Sequence, residues 1–213
     1  MLNIKTIQCN ALAENCYIVS DETNQCVIID CGAHSTFEQA AIKDYITTSG
    51  LTPVMHLLTH GHFDHAMGSK FVNDTWGLLP TLCERDAEQY KNAKQMAAAM
   101  GLIIDDLPII GKCLNDGDDV TFGNGKTFHV IGTPGHTKGS VVYHCADEHV
   151  AFTGDTLFHL GIGRTDFPGG SSFMIIQSLR QLTQLPDETQ ILPGHGDTTT
   201  MGYELAHNPY LDR

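Results

Sequence analysis

The chain has 213 residues, of which 41% are hydrophobic and 17% are charged, and its formal net charge is −13 at pH 7. This length and composition predict a single globular domain over residues 1–213 that buries its own core. Only 12 Lys and Arg side chains oppose 25 Asp and Glu. That balance argues against nucleic acid as a partner, because phosphate binding needs clustered cations.

The N-terminus and the cysteines predict a cytoplasmic protein. The first residues lack the apolar segment of a secretion signal, and no apolar run approaches the roughly 18 residues of a membrane span. The seven cysteines are odd in number and scattered, without a Cys-x-x-Cys motif, which is typical of a reducing compartment. We therefore expect no membrane partner, and the sequence leaves the oligomeric state open.

Short strands and helices alternate along the chain. Hydrophobic patterns predict a meander followed by further strands, at residues 3–8, 15–20, 26–30, 54–59, 119–122, 126–131, 139–145, 149–153 and 189–192. Helices are predicted from Ser35 to Gly50 and at residues 66–73, 84–100, 172–185 and 202–207. Residues 102–111 are predicted to be a packed loop. Strands and helices recurring in two passes indicate an α/β fold in which two sheets pack face to face with helices outside.

Residues 60–65 carry the strongest functional signal, because four metal-binding side chains fall within six positions. They are His60, His62, Asp64 and His65, directly after the predicted strand 54–59. A tight loop after a strand can aim all four at one centre, which is the usual place for an active site in α/β proteins. This spacing of imidazoles and a carboxylate is typical of a metal-binding loop.

Three further ligands follow predicted strands in the same way. His136, Asp155 and His195 each lie directly after a strand, in a turn rich in glycine. Five histidines and two aspartates are too many for one ion, but two adjacent ions can use all seven if Asp155 bridges them. The predicted division is His60, His62 and His136 for the first ion and Asp64, His65 and His195 for the second. No thiolate takes part, so zinc is expected first and iron or manganese next.

Four other side chains have weaker signals. His56 lies within a buried strand and is predicted to be a core histidine with its hydrogen bonds satisfied. His159, four residues after Asp155, is a candidate for the wall of the substrate pocket. Lys138 and Arg164 are the cations closest in sequence to ligands, and we predict that they bind substrate carboxylates, Arg164 foremost because of its planar fork. The alternative for Arg164 is that it braces its own loop by bonding Asp166.

The ligand set, in this order, resembles the metallo-β-lactamase-fold hydrolase superfamily across essentially the whole chain. The resemblance implies an αββα four-layer sandwich with a dinuclear centre at the edge of the two sheets. The segments 154–158 and 163–170 are similar to those of short, single-domain bacterial glyoxalase II enzymes (hydroxyacylglutathione hydrolases) and also of persulfide dioxygenases. Asp155 stands where lactamases of this fold typically carry Cys, which points away from β-lactam hydrolysis.

Two departures from the glyoxalase II pattern concern substrate binding. Full-length members carry a further helical domain that holds glutathione, whereas only residues 196–213 follow His195 in this sequence. Lys138 stands where many relatives have proline. The resemblance therefore does not carry glutathione specificity over to this chain.

The expected reaction is hydrolysis of a small thioester, such as S-D-lactoylglutathione or a related hydroxyacylglutathione. Two divalent ions that share a water lower its pKa toward neutrality and so supply hydroxide. Asp155 is expected to hold both ions, and Asp64 to hold the second and accept the proton of the nucleophile. A thioester suits this site because a thiol with a pKa near 8.5 leaves as thiolate without a general acid.

Three alternatives remain at the level of the sequence. A persulfide dioxygenase would use one iron, bound by His60, His136 and Asp155, and a lactonase would use the same dinuclear centre. A non-catalytic metal-binding module is the third, but a structural site closes with four ligands and needs no more. Hydrolysis is preferred because Asp64, His65 and His195 complete a second site.

Overall fold

The computed structural model of the protein describes residues 1–211, in which the strands form two large sheets and one small hairpin. The first sheet contains, side by side and in this order, β1 (Asn3–Cys9), β2 (Glu14–Ser20), β3 (Gln25–Ile29), β4 (Thr52–Leu57), β5 (Pro80–Cys83) and β6 (Lys112–Leu114). The first three strands pair antiparallel, which confirms the predicted meander. From β3 to β6 the neighbours are parallel, so their carboxyl ends share one edge of the sheet.

The second half of the chain supplies the other sheet and the hairpin. Its strands are β7 (Asp119–Phe122), β8 (Lys126–Gly132), β9 (Val141–Cys145), β10 (Val150–Gly154), β11 (Leu157–Phe158), β12 (Gly161–Ile162), β13 (Gln190–Pro193) and β14 (Thr199–Thr200). The sheet has the order β14-β13-β10-β9-β8-β7, and β11 pairs with β12 alone. Because β10 and β13 are parallel, the residues that follow them lie at the same edge.

Helices flank the sheets. They are α1 (Thr36–Thr48), α2 (Phe63–Ala66), α3 (Ser69–Trp76), α4 (Ala87–Lys91), α5 (Ala93–Ala99), α6 (Ser172–Leu182) and α7 (Met201–His207). Ser35 caps α1 as predicted and forms a capping box with Glu38, which stabilises the helix start by about 1 kcal/mol. Within residues 1–211, no helix combines the length and the apolar character needed to cross a bilayer.

Three apolar clusters hold four layers of secondary structure together. Tyr17 of the first sheet and Phe152 of the second meet edge to face at 5.2 Å between ring centroids, inside a core to which both sheets contribute. Ile42 and Ile46 of α1 pack on the outer face of the first sheet. A third cluster joins α6 to the outer face of the second sheet, through Leu179 and other residues. This order confirms the αββα sandwich that the resemblance implies.

Two predicted helices are divided in the structure. In place of one helix over 84–100 there is a 3₁₀ turn at Glu84–Asp86, then α4 and α5. Asn92 separates α4 from α5, and Ala93 and Ala97 of α5 pack against Phe63 and other side chains of a small apolar cluster. Helix propensity depends on local sequence alone and does not predict such a tertiary contact. The predicted helix 66–73 is replaced by α2 and α3, whereas the predicted loop 102–111 is confirmed.

His56 is buried as predicted, but its hydrogen bonds are not satisfied. Neither ring nitrogen meets a hydrogen-bond partner among residues 1–211. Alternation along β4 sends Leu57 to the core between the sheets and His56 to the opposite face. Its register partner there is Ile28, which belongs to the apolar cluster under α1. Burial in this surrounding lowers the pKa of His56 to about 3.

Candidate metal centre

All seven predicted ligands meet at one edge of the sandwich. His60 follows β4, His136 follows β8, and Asp155 and His195 follow β10 and β13. Six of the seven residues are at most 9% exposed, and the side chain of His195 is 24% exposed. The structure therefore brings together the seven residues that the sequence singled out at strand ends.

The first group consists of three imidazoles whose nitrogens converge. The Nδ1 atom of His62 lies 3.1 Å from Nε2 of His60 and 2.8 Å from Nε2 of His136. Burial lowers the pKa of His60 well below its usual value and that of His62 to about 3. Both rings are therefore neutral and offer a lone pair to a cation.

The second group is formed by Asp64, His65 and His195. Nε2 of His195 lies 3.3 Å from Nε2 of His65 and 3.3 Å from Oδ2 of Asp64. Asp64 and His65 lie in the first turn of α2, which begins at Phe63, whereas the sequence predicted a loop up to Ala66. A single helical turn is short enough to present two adjacent side chains to the same centre.

Asp155 lies between the two groups. Its Oδ1 is 3.3 Å from Nε2 of His65, and its Oδ2 is 3.4 Å from Nε2 of His136 and 3.7 Å from Nε2 of His195. Burial opposes its ionisation, but the surrounding histidines outweigh burial and lower its pKa well below the usual value. Its Oδ1 therefore faces the second group and its Oδ2 lies near histidines of both groups, so that one carboxylate reaches both.

Four of the five imidazoles are held through the nitrogen that faces away from the centre. The contacts are His65 Nδ1 to Asp30 Oδ2 (2.9 Å), His136 Nδ1 to the Arg164 carbonyl (2.8 Å), His195 Nδ1 to the Leu12 carbonyl (3.0 Å) and His60 Nδ1 to Thr59 Oγ1 (3.1 Å). Oxygen partners of this kind fix the ring and leave the inner nitrogen as the acceptor. This is the arrangement that metal-ligating histidines show.

The donor set fits divalent metal ions. Asp155 Oδ1 is buried and has no hydrogen-bond partner within the described chain, although leaving a carboxylate oxygen unsatisfied costs free energy. Imidazoles and carboxylates without thiolate suit borderline cations such as zinc, iron or manganese. A cation among these atoms would satisfy both the orphaned oxygen and the converging nitrogens.

All seven ligands lie within a segment that matches the sequence model of one protein superfamily. The sequence model of the Metallo-beta-lactamase superfamily matches residues 9–195, which include all seven ligands. The chain belongs to the metallo-beta-lactamase superfamily. The resemblance stated from the motifs is thereby confirmed, and with it the expectation of divalent metal binding.

Relatives in this superfamily match the chain over almost its full length. The hydroxyacylglutathione hydrolase GloC of Haemophilus influenzae is 35% identical over 217 residues, covering 99% of each chain. The crystal structure of the BLEG-1 B3 metallo-beta-lactamase matches with a TM-score of 0.90 at 33% identity, over 99% of both chains. TTHA1623, solved in a di-iron-bound form, has a TM-score of 0.87 at 33% identity over 97% of this chain and all of its own.

Asp30 supports both ligand groups, and the sequence interpretation missed it. Its Oδ2 contacts His65 Nδ1 and accepts a hydrogen bond from Thr59 Oγ1 at 2.8 Å, and its Oδ1 accepts one from the Thr59 backbone N–H at 2.7 Å. Thr59 Oγ1 in turn contacts His60. Asp30 directly follows β3, so the search for residues directly after strands that selected Asp155 could have found it.

Asp86 fastens together the two loops that carry the first group. Its carboxylate accepts hydrogen bonds from the Gly61 N–H at 2.8 Å, the Thr137 hydroxyl at 2.7 Å and the Gly139 N–H at 2.7 Å. Gly61 lies between His60 and His62, and Thr137 follows His136. Nothing in the sequence pattern around Asp86 indicates this role, because its partners are distant in sequence.

Residues of β2 hold the turn that carries His195. The Asn15 amide donates to the carbonyls of Pro193 at 3.0 Å and Gly196 at 2.9 Å, and the Tyr17 hydroxyl donates to Pro193 at 2.7 Å. A side chain at Gly194 would collide with Asp155 and come within 2.6 Å of His65. Only glycine therefore lets this turn approach the centre so closely.

The three predicted substrate-binding residues lie in different settings. Arg164 forms a bidentate ion pair with Asp166 at 2.9 and 2.7 Å, and it stacks on Phe167 at 4.0 Å, as the bracing alternative states. His159 is exposed, and its ring packs at a tilt against Tyr203 with 5.3 Å between ring centroids. Lys138 is exposed at the end of the His136 turn. Their roles toward substrate stay predictions.

Proposed function

We propose that the protein is a cytoplasmic hydrolase that uses two divalent ions, zinc first, to cleave a small thioester such as S-D-lactoylglutathione or another hydroxyacylglutathione. The observation that carries the proposal is the assembly of Asp64, His65 and His195 beside the three-imidazole group, with Asp155 between them. The similarity to GloC over 99% of both chains supports the choice of substrate class. The seven free cysteines support the cytoplasmic location.

The side chains at this edge suit attack on a carbonyl. When bound, two divalent ions would activate the water that they share and polarise the carbonyl of the substrate. Burial acts against the ionised form of Asp64, but His65 and His195 outweigh it and lower its pKa. Asp64 is therefore an ionised member of the second group and can accept the proton of the nucleophile.

A thioester needs little more from the protein. Its thiol leaves as thiolate at neutral pH, because a thiol pKa of about 8.5 is low for a leaving group. An amide would require a proton donor for its amine. The imidazoles and carboxylates of the two ligand groups would themselves be occupied by the proposed ions, so the thioester is the better match.

The test is one preparation examined in four assays. Protein purified without added metal is analysed for metal content and then assayed with S-D-lactoylglutathione, with a β-lactam because of the likeness to BLEG-1, and for oxygen uptake with glutathione persulfide. We expect about two ions per chain and hydrolysis of the thioester alone, lost on chelation and restored by zinc. One iron per chain with oxygen uptake, or hydrolysis of the β-lactam alone, would contradict the proposal.

A further inference from the structure

A cavity beside the metal centre has a charge opposite to that of the protein as a whole. Its volume is about 520 Å³, and its lining includes Arg85, Thr137, Lys138, Gly169 and Ser171. No Asp or Glu of the described chain lines it, although acidic residues outnumber basic ones by 25 to 12. The volume lies within the roughly 300–1,000 Å³ of small-molecule sites.

The two cations in this lining are free to bind a ligand. Neither Arg85 nor Lys138 forms an ion pair or side-chain hydrogen bond with another residue in the range 1–211, whereas Arg164 is paired with Asp166. A smaller recess of about 190 Å³ shares both cations and also contains Glu88 and Asp86. Asp86 is committed to its three hydrogen bonds, so its charge is partly compensated.

The start of α6 adds to the positive character of the cavity. Ser171 is the N-cap of this 11-residue helix, and its hydroxyl accepts from the Met174 N–H at 3.3 Å. The other N–H groups of the first turn lack partners within the helix, and the helix dipole favours an anion there. A methyl group on Gly169 would lie 3.8 Å from Cγ of Lys138, so the lysine stem runs along the same loop.

The cavity and the metal centre share two loops. Thr137 directly follows the ligand His136, and Gly169 lies two residues after Phe167, whose ring is 5.9 Å from that of the ligand His62. Lys138 lies two residues after His136, so a ligand with its carbonyl at the metal centre has to extend along this turn to reach the lysine. A tripeptide spans about 10 Å when extended, which is enough for a group of this size to cross one turn.

We infer that the cavity formed by Arg85, Lys138 and the start of α6 binds a carboxylate on the thiol half of the substrate. The inference rests on the proposed thioesterase function and specifies how the chain selects an anionic thiol. It extends the carboxylate-binding role predicted for Lys138 to Arg85. The position of Arg85 in the sequence did not indicate that it lies near the ligands. Two cations and a helix start compensate locally for the repulsion of an anion by a protein of net charge −13.

The kinetic test compares two thioesters with the same acyl group, one on glutathione and one on the uncharged thiol N-acetylcysteamine. In the double variant Arg85→Ala/Lys138→Ala, KM for the glutathione thioester should rise about tenfold, with kcat changed less than about twofold. KM for the uncharged thioester should stay within about twofold of the parent value. The control pair Lys43→Ala and Arg180→Ala removes equal charge from exposed positions elsewhere and should leave both KM values unchanged.

A binding measurement separates this inference from the proposed function. S-methylglutathione, which cannot be hydrolysed, is titrated into the metal-loaded parent and the double variant by calorimetry. Binding that the double variant loses supports the carboxylate site even if neither thioester is hydrolysed. Equal binding in both proteins, or KM values that rise equally for both thioesters, would overturn the inference. A third outcome would also overturn it: the double variant is no longer inhibited by inorganic phosphate, but its KM for the glutathione thioester is unchanged. The cavity would then bind a separate anion and not the substrate.

Discussion

Two carboxylates at the metal centre have the same chemistry but different surroundings. The carboxylate of Asp155 lies near histidines of both ligand groups, whereas that of Asp64 lies near His65 and His195 of the second group. Their substitutions should therefore have different consequences for metal binding. This difference allows the assignment of ligands to ions to be tested one residue at a time.

Asp64→Asn should abolish hydrolysis while most of the first ion is retained at saturating metal. The amide keeps the shape of the side chain but loses the charge that holds the second ion and the site that accepts a proton. Metal analysis after gel filtration, read beside thioesterase activity, measures both effects. Loss of both ions in this variant would show that the division of the ligands is wrong.

Asp155→Ala should remove nearly all activity and much of the metal at both positions, because one side chain serves both groups. The matched control is Asp166→Ala, which removes a nearby exposed carboxylate that pairs with Arg164 rather than with the ligands. We expect the control to keep its full metal content in the same analysis. An Asp155→Ala protein that still binds two ions would exclude a bridging role.

At the scale of elements, a buried carboxylate sets the distance between the two loops of the first group. Asp86→Ala leaves two backbone N–H groups and a hydroxyl without their acceptor. We expect metal affinity at the first group to fall about 10- to 100-fold, as for other residues that orient ligands. Competitive titration with a chelator indicator measures this, with exposed Glu84→Ala as the control. Unchanged metal affinity in the Asp86→Ala variant would show that Asp86 stabilises the fold without affecting the ligands.

The search for metal ligands directly after predicted strands explains what could be predicted from the sequence and what could not. Ligands such as Asp155 follow apolar strands with glycine turns, so hydrophobic periodicity and turn chemistry are enough to locate them along the chain. Asp86 and Arg85 follow β5, a strand of four residues that is too short to show a pattern. Their contacts join segments distant in sequence, and the interruption of the helix predicted over 84–100 depends on the packing of Ala93 and Ala97.

At the scale of the whole molecule, His56 should make stability depend on pH. Its pKa is about 3 in the folded protein because of burial, against about 6.5 when unfolded. The unfolded chain therefore takes up the proton first as pH falls below 6.5, and at pH 5 this costs about 2 kcal/mol of stability. Above pH 6.5 the cost disappears.

His56→Leu should remove this term. In urea unfolding of the metal-loaded proteins, the variant should be at least as stable as the parent at pH 7. The difference in unfolding free energy, variant minus parent, should be about 2 kcal/mol larger at pH 5 than at pH 7. The exposed His207→Leu variant serves as the control and should show no such difference between the two pH values. Parallel pH profiles for parent and His56→Leu would mean that the buried ring is not the titrating group.

The carboxylate of Asp30 has a further consequence for the proposed pair of ions. Its Oδ2 contacts a ligand of the second group directly and reaches His60 of the first through the hydroxyl of Thr59. An ion in either group would fix this oxygen and so orient the histidine of the other group, which makes metal loading cooperative. Thermodynamic reciprocity requires each ion to strengthen the binding of the other by the same factor. With less than one equivalent of metal, native mass spectrometry should therefore resolve mostly empty and doubly loaded chains, with few that carry a single ion.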